Sequence, residues 1–436
     1  MTRGVKKIIT ILKSDIILLL MVFFCYMLFL SLDSSEKNLQ HVQSNFFTLG
    51  LENIKNSFLQ DICPTRDVRV GLITNQTGKD QRGRRNVDLL LKKGINIKKI
   101  FTPEHGLSGM IHTDKMISNS VDKKTKIPIV SLYSQGKMIT INADMVKDID
   151  LLMFDIQDAG MRHYTYITTL YQAMESSAKC DKIFVVLDRP SLLGNCMDGP
   201  LVEKGFRSGI SIAPIPLRHG MTVGELAIYF NKYELENPIY LYVVPMKNYK
   251  RNSFKQNQLL TYLSSGIRNL NACYCYSFLG LLGELRPFSI GLGTDKRFQA
   301  LMISDSIQFP KQKWVELKRF MKKYGVEGVL CGQVVKNKTY RGLSLNIRNI
   351  CNVSSFNLLI RILAFFKKSG VPITFSRMFD IAMGTDKVRL FFDGKIKKRR
   401  LECFVNKSLS AFYHKASSCF LYAPFPKIMP LNLHGV

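Results

Sequence analysis

The chain has 436 residues, 46% of them hydrophobic, and carries 62 Lys+Arg against 33 Asp+Glu, a formal net charge of +29. This length and apolar content imply two or three globular domains and exclude a disordered chain. The charge favours anionic partners, yet the lysines are spread along the whole chain, no basic stretch is interleaved with aromatics, and no zinc-finger or RNP-like signature occurs, so nucleic-acid binding is not expected. The ten cysteines form no CxxC pair, and Cys273 and Cys275 are too close for metal-knuckle spacing.

Residues 1–14 carry Arg3, Lys6, Lys7 and Lys13, and Ile16 to Leu32 is apolar apart from Ser31. A cationic flank before such a run reads as a signal peptide or anchor. No A-x-A-like cleavage site follows, and no lipoprotein box precedes Cys25. The expectation is an uncleaved transmembrane helix, with residues 1–40 as anchor and linker and the body exported.

From Val68 the pattern becomes regular. Val68 to Thr74 reads as a strand, Asn86 to Lys93 as a helix stopped by Gly94, and Ile95 to Phe101 as the next strand. Ile127 to Leu132, Ile149 to Ile156 and Ile183 to Leu187 read as further strands, with a long helix over about Tyr164 to Ala178. Thr222 and Glu225 form a capping box that opens a helix through Phe230. This alternation predicts an α/β fold with a mostly parallel, doubly wound sheet over residues 41–236. After the strand Tyr240 to Pro245 the rhythm is lost, and residues 237–436 read as a smaller mixed α+β domain. In that part, Gly342 to Ile347 is strand-like, and Ser355 to Lys367 and Asn406 to Tyr413 look helical.

The apolar runs end in chemical handles: Asn75, Glu104, His105, Asp155, Asp158, Asp188 and Arg189. In a parallel sheet those ends share one rim, where α/β folds place their ligands. Pro103 stops the second strand, and Gly106 and Gly109 permit a tight turn carrying Glu104 and His105. Asp198 and His219 sit in further polar turns. No G-x-G-x-x-G after a strand and no Walker-type loop occurs, so no nucleotide cofactor is expected, and no metal site is indicated.

Taken together, V-G-L-I-T-N-Q-T-G (70–78), P-E-H-G-L-S-G (103–109), F-D-I-Q-D-A-G-M-R-H-Y-T-Y-I (154–167), V-L-D-R-P (186–190), I-P-L-R-H-G-M-T-V-G-E-L-A (215–227), V-V-P-M (243–246) and F-D-I-A-M-G-T-D-K-V-R (379–389) resemble the NamZ-type exo-β-N-acetylmuramidases. The resemblance covers about residues 65–425. It implies a Rossmann-like N-terminal domain, a smaller C-terminal domain, and release of terminal N-acetylmuramic acid from the non-reducing end of peptidoglycan fragments. Carried over by motif, Glu104 is the leading catalytic acid, and His105, Asp155, Asp158, Arg162, Tyr164, Tyr166 and Arg189 line the pocket. The chain departs from the family pattern at Asp198, where E-G-P is usual, at Leu292 and Arg297 within G-R-G-T-x-x-P-F, and at Asn349.

Glycoside hydrolysis needs an acid for the leaving oxygen and a group that attacks or stabilises the oxocarbenium-like centre. Candidates for the second role are Asp155, Asp158, Asp188 and Asp198, or the substrate's own acetamido group. Arg162 and Arg189 are expected to hold the lactyl carboxylate, and Tyr164 and Tyr166 to stack on the sugar. The departures motivate a rival reading, a membrane-anchored wall-glycan binder without catalysis.

Overall fold

The strand that begins the regular pattern, β1 (Arg69–Thr74), lies at the centre of a seven-stranded sheet. Its apolar run is buried on both faces, as a parallel strand flanked by neighbours requires. The other strands are β2 (Asn96–Thr102), β3 (Ser120–Val121), β4 (Pro128–Ser131), β5 (Leu151–Asp155), β6 (Ile183–Leu187) and β7 (Leu241–Val244). They stand in the order β7-β6-β5-β1-β2-β4-β3, and every pairing is parallel except β3 with β4. The chain therefore leaves β1 first towards β2 and β4, then returns to the other side of β1 for β5, β6 and β7. The switch point falls between the carboxyl ends of β1 and β5, the place where such sheets leave a crevice.

The computed structural model describes Met27 and residues 47–64, 67–111, 118–251, 262–335 and 337–436. The expected anchor helix, Ile16 to Leu32, lies outside the described residues apart from Met27. Among the described residues no helix is long and apolar enough to cross a membrane.

Helix α1 (Asn86–Lys92) packs on β2; α2 (Tyr166–Lys179) and α3 (Val223–Tyr233) pack on β6 and on each other. The capping box at the start of α3 is present: the Thr222 hydroxyl accepts from the Glu225 N–H at 3.2 Å and Glu225 Oε2 accepts from the Thr222 N–H at 2.9 Å. Because β7 completes the large sheet, that sheet runs past the boundary expected at 236/237.

The second part of the chain is mixed. Helix α4 (Leu270–Leu282) is apolar on nearly every side and buried on nearly every side. A four-stranded antiparallel sheet follows, from β8 (Phe288–Ser289), β9 (Ala300–Ser304), β10 (Val326–Val335) and β11 (Lys338–Ile347), in the order β8-β9-β11-β10. Helix α5 (Lys311–Lys322) covers β10 and β11, and α6 (Ser355–Lys368) packs on α4. Residues Thr48–Val436 make one compact unit with a continuous core that runs through both sheets.

Two buried arginines hold the first part of this unit to the last. Arg162 donates to the carbonyls of Pro200, Ile215, Ala382 and Met383, and Arg218 to those of Leu193, Ile350 and Val353. Neither has a carboxylate partner among the described residues. Burial without a counter-ion pulls the Arg162 guanidinium down to about 9. Such a fork satisfies several C=O groups that packing would otherwise strand.

Candidate active site

The turn after β2 sets the site. Pro103 ends the strand, and the following residues coil tightly, with His105, Gly106 and Gly109 all in the left-handed region at φ 70, 69 and 70°. His105 holds this costly conformation with a hydrogen bond from its Nδ1 to the Ile111 carbonyl at 2.8 Å. At Gly109 a Cβ would fall 2.2 Å from the Gln76 side chain, so only glycine fits there. Gln76 is itself fixed, because Nε2 donates to the Leu263 carbonyl at 2.5 Å.

The turn places Glu104, 8% exposed as a residue, in the wall of a cleft of about 510 Å³. Thr165, one residue before α2, donates its hydroxyl to Glu104 Oε2 at 2.5 Å. Tyr133, just past β4, has its hydroxyl close enough to the carboxylate to feel its charge. Burial first, and then the Glu104 charge, pushes the Tyr133 hydroxyl up to about 12, so it stays a donor. The remaining walls are largely aromatic and glycine-lined: His163, Tyr164, Tyr276 and Phe298, with Ser264, Ser265, Leu292, Gly293 and Arg297. Tyr276 packs edge-on against Phe298 at 5.0 Å and lies 4.9 Å from the His163 ring. Burial, with a smaller push from Arg162, holds His163 down at about 3, so the imidazole is uncharged near neutral pH.

Asp158 lies behind this wall. Its Oδ2 accepts from the Gly160 N–H at 2.5 Å and meets His219 Nε2 at 3.3 Å. The Met221 N–H donates to His219 Nδ1 at 3.2 Å, which leaves the proton on Nε2 for Asp158. Oδ1 is buried and has no partner. Burial first, with smaller pushes from Asp158 and, for Tyr276, Glu104, holds the Tyr164 and Tyr276 hydroxyls well above the usual phenol range.

Several strand-end residues do not reach the cleft. Asp155 is fully buried, and its two oxygens accept from Arg189 Nε at 2.6 Å and Nη2 at 2.9 Å, while Asn86 donates to Oδ2 at 2.7 Å. The rest of the Arg189 fork goes to the Lys79 carbonyl. Asp155 is thus spent on a buried ion pair, and Arg189, like Arg162, has its donors committed inside the protein. This corrects their expected places around the substrate. Asp188 accepts from the N–H groups of Arg189 and Gly224 and from the hydroxyls of Thr222 and Tyr422, and so ties the start of α3 to the C-terminal segment. Burial raises it to about 6. Asp198 is fully buried at the start of α6, accepting from Ser354 and the Phe356 N–H. Tyr166 is buried behind Tyr164 and donates to the Leu263 carbonyl at 3.2 Å. Asn75 is buried and lines a different hollow on the far side of the Glu104 turn, with Gln76, Lys79 and Arg85. His219 reaches the site only through Asp158.

The polar rim of the sheet is therefore divided. One half is a buried knot of Asp155, Arg189 and Asn86; the other opens at Glu104. Thr165, Tyr133, His163 and Tyr276 carry no site assignment from the sequence, and Arg297 stands there only as a departure from the family pattern. Tyr133 carried a usable signal, since it directly follows a strand. Among the described residues, no group of three or more His, Cys, Asp or Glu side chains could hold a metal ion.

Two family models match the chain: one described as exo-β-N-acetylmuramidase NamZ, N-terminal, over residues 70–269, and its C-terminal counterpart over residues 274–422. Their division places β7 with the N-terminal part. The peptidoglycan β-N-acetylmuramidase NamZ of Bacillus subtilis strain 168 is 39% identical over 237 residues, which is 53% of this chain and 56% of that protein. The match thus spans little more than half of that relative's length. A DUF1343 family protein of Bacteroides fragilis superimposes with a TM-score of 0.74 at 29% identity, over 86% of this chain and 99% of the other. A second from the same organism gives 0.67 at 25% identity, over 88% and 100%.

Proposed function

Because the chain belongs to the NamZ family, we propose that it is a glycoside hydrolase releasing terminal N-acetylmuramic acid from the non-reducing end of peptidoglycan fragments. The observation that carries this reading is Glu104: a carboxyl group on a tight turn that requires glycine at Gly109, oriented by the Thr165 hydroxyl, in a cleft with aromatic walls large enough for a sugar unit. In that setting Glu104 is the acid that protonates the departing glycosidic oxygen. Asp158, the strand-end aspartate not committed to an arginine or a helix start, lies behind the cleft wall, so its candidate share of the second role is electrostatic stabilisation of the charged centre and not direct attack. The acetamido group of the substrate is the other candidate. Tyr164 and Tyr276 supply apolar surface for the sugar ring.

The test is incubation of the full chain with the disaccharide of N-acetylmuramic acid linked to N-acetylglucosamine. Free N-acetylmuramic acid should appear by mass spectrometry in proportion to enzyme and time. Binding of the disaccharide without release would replace the enzyme by a wall-glycan binder.

The proposal also includes an anchored, exported body, which rests on the apolar run Ile16 to Leu32 and its cationic flank. Alkaline carbonate washing should leave the protein in the membrane pellet. Recovery of the washed protein in the supernatant would remove the anchor.

A further inference from the structure

We propose, resting on the functional reading above, that Arg297 recognises the substrate's carboxylate and so sets the preference for a muramic acid over an uncharged sugar. N-acetylmuramic acid differs from N-acetylglucosamine by a lactyl ether ending in a carboxylate, and recognition of that group calls for a cation with donors to spare. Most cations near the cleft are committed. Arg162 and Arg218 are spent on backbone carbonyls, and Arg189 on Asp155 and Lys79. His163 is uncharged, and His105 uses Nδ1 on its own turn. Among the described residues that line the cleft, Arg297 is the single arginine or lysine.

Arg297 is also held where a recognition group should be. Its segment closes on itself: the Phe298 N–H donates to the Ile290 carbonyl at 2.9 Å, and the Thr294 N–H donates to the Gly291 carbonyl at 3.1 Å. A Cβ at Gly291 would fall 2.2 Å from the Lys296 carbonyl oxygen, so the closure requires glycine there. Phe298 anchors the loop on Tyr276. Arg297 Nη1 donates to the Ser265 carbonyl at 3.0 Å, which steadies the guanidinium and leaves most of its donors unspent. No carboxylate among the described residues pairs with it. A half-buried guanidinium without a counter-ion, in the cleft that holds Glu104, is completed by an anionic ligand. Leu292, in the same loop, lines the cleft without a charge, so the loop's guanidinium in the cleft is that of Arg297.

The experiment compares the muramyl disaccharide with its lactyl amide, which keeps the size but loses the charge, on the full chain and on Arg297→Met and Arg297→Lys. Turnover and calorimetric binding are both read. The wild type should favour the acid by about 10- to 100-fold in kcat/KM. Arg297→Met should lower kcat/KM on the acid to the level of the amide, chiefly through KM, and leave the amide unchanged. Arg297→Lys should fall between. If Arg297→Met folds poorly, Arg297→Lys with an unchanged melting temperature gives the same comparison. A variant that keeps the full acid preference, or that slows both substrates equally because the Ser265 contact was structural, would overturn the proposal. If the wild type binds the disaccharide without turning it over, the hydrolase reading fails separately. Calorimetry then decides: loss of acid preference in Arg297→Met upholds the assignment, and a wild type without such preference rejects it.

Discussion

Replacing Glu104 by Gln should leave the protein folded and able to bind a muramyl disaccharide, yet slow its turnover at least about a hundredfold. Glutamine keeps the shape of the side chain, and its amide oxygen can still accept from Thr165, so the turn has no reason to rearrange. It cannot hand a proton to the glycosidic oxygen. General acid catalysis is worth about 10²- to 10⁴-fold, so the loss should dominate any change in KM. Initial rates at saturating disaccharide, with binding measured by calorimetry, check both halves of the expectation. Equal rates for the two proteins would take Glu104 out of the mechanism.

Replacing Asp155 by Ala should act on stability instead. The Arg189 guanidinium would stay buried with only the Lys79 carbonyl, and Asn86 would lose an acceptor. Breaking a buried ion pair by removing one partner typically costs about 3–5 kcal/mol, enough to unfold many domains at working temperature. Urea denaturation should show a lowered midpoint with a similar slope. The outcome that reverses this assignment is an Asp155→Ala protein of wild-type stability without turnover, which would return Asp155 to the chemistry.

The sheet was legible because its strands are buried on both faces and read as apolar runs: Val68 to Thr74, Ile149 to Ile156 and Ile183 to Leu187 sit within a residue or two of β1, β5 and β6. Thr222 and Glu225 were legible for a local reason, since a capping box needs only its own four residues. Helix α4 escaped because it is apolar all round: burial on every side erases the 3.6-residue period that marks a surface helix. The antiparallel hairpin of β10 and β11 reads from the sequence only over the better-buried part of β11, from Gly342 to Ile347; β10, with Val329 and Val334 facing outward, places apolar residues on its exposed face and hides the alternation.

The site was half legible for a related reason. Glu104 could be found because proline and glycines punctuate its turn. Arg162, Arg189, Asp155 and Asp188 looked like ligand-binding groups, yet charged side chains in this rim serve two masters. Burial in a low-dielectric interior demands partners, and once committed to carbonyls or to each other they hold the fold and have no donors for a substrate. Sequence order cannot distinguish the two uses. Thr165, Tyr276 and Arg297 arrive from a helix start, a buried helix and a closed loop, and only packing brings them to Glu104.

The dependence of the Glu104→Gln rate on the leaving group tests the role of Glu104 most directly. Aryl muramides whose phenols grow steadily more acidic need progressively less protonation at the glycosidic oxygen. The ratio of wild-type to Glu104→Gln rates should therefore be large for the natural disaccharide and shrink towards unity along the series. A ratio that stays constant across the leaving groups would contradict the assignment of Glu104 as the general acid.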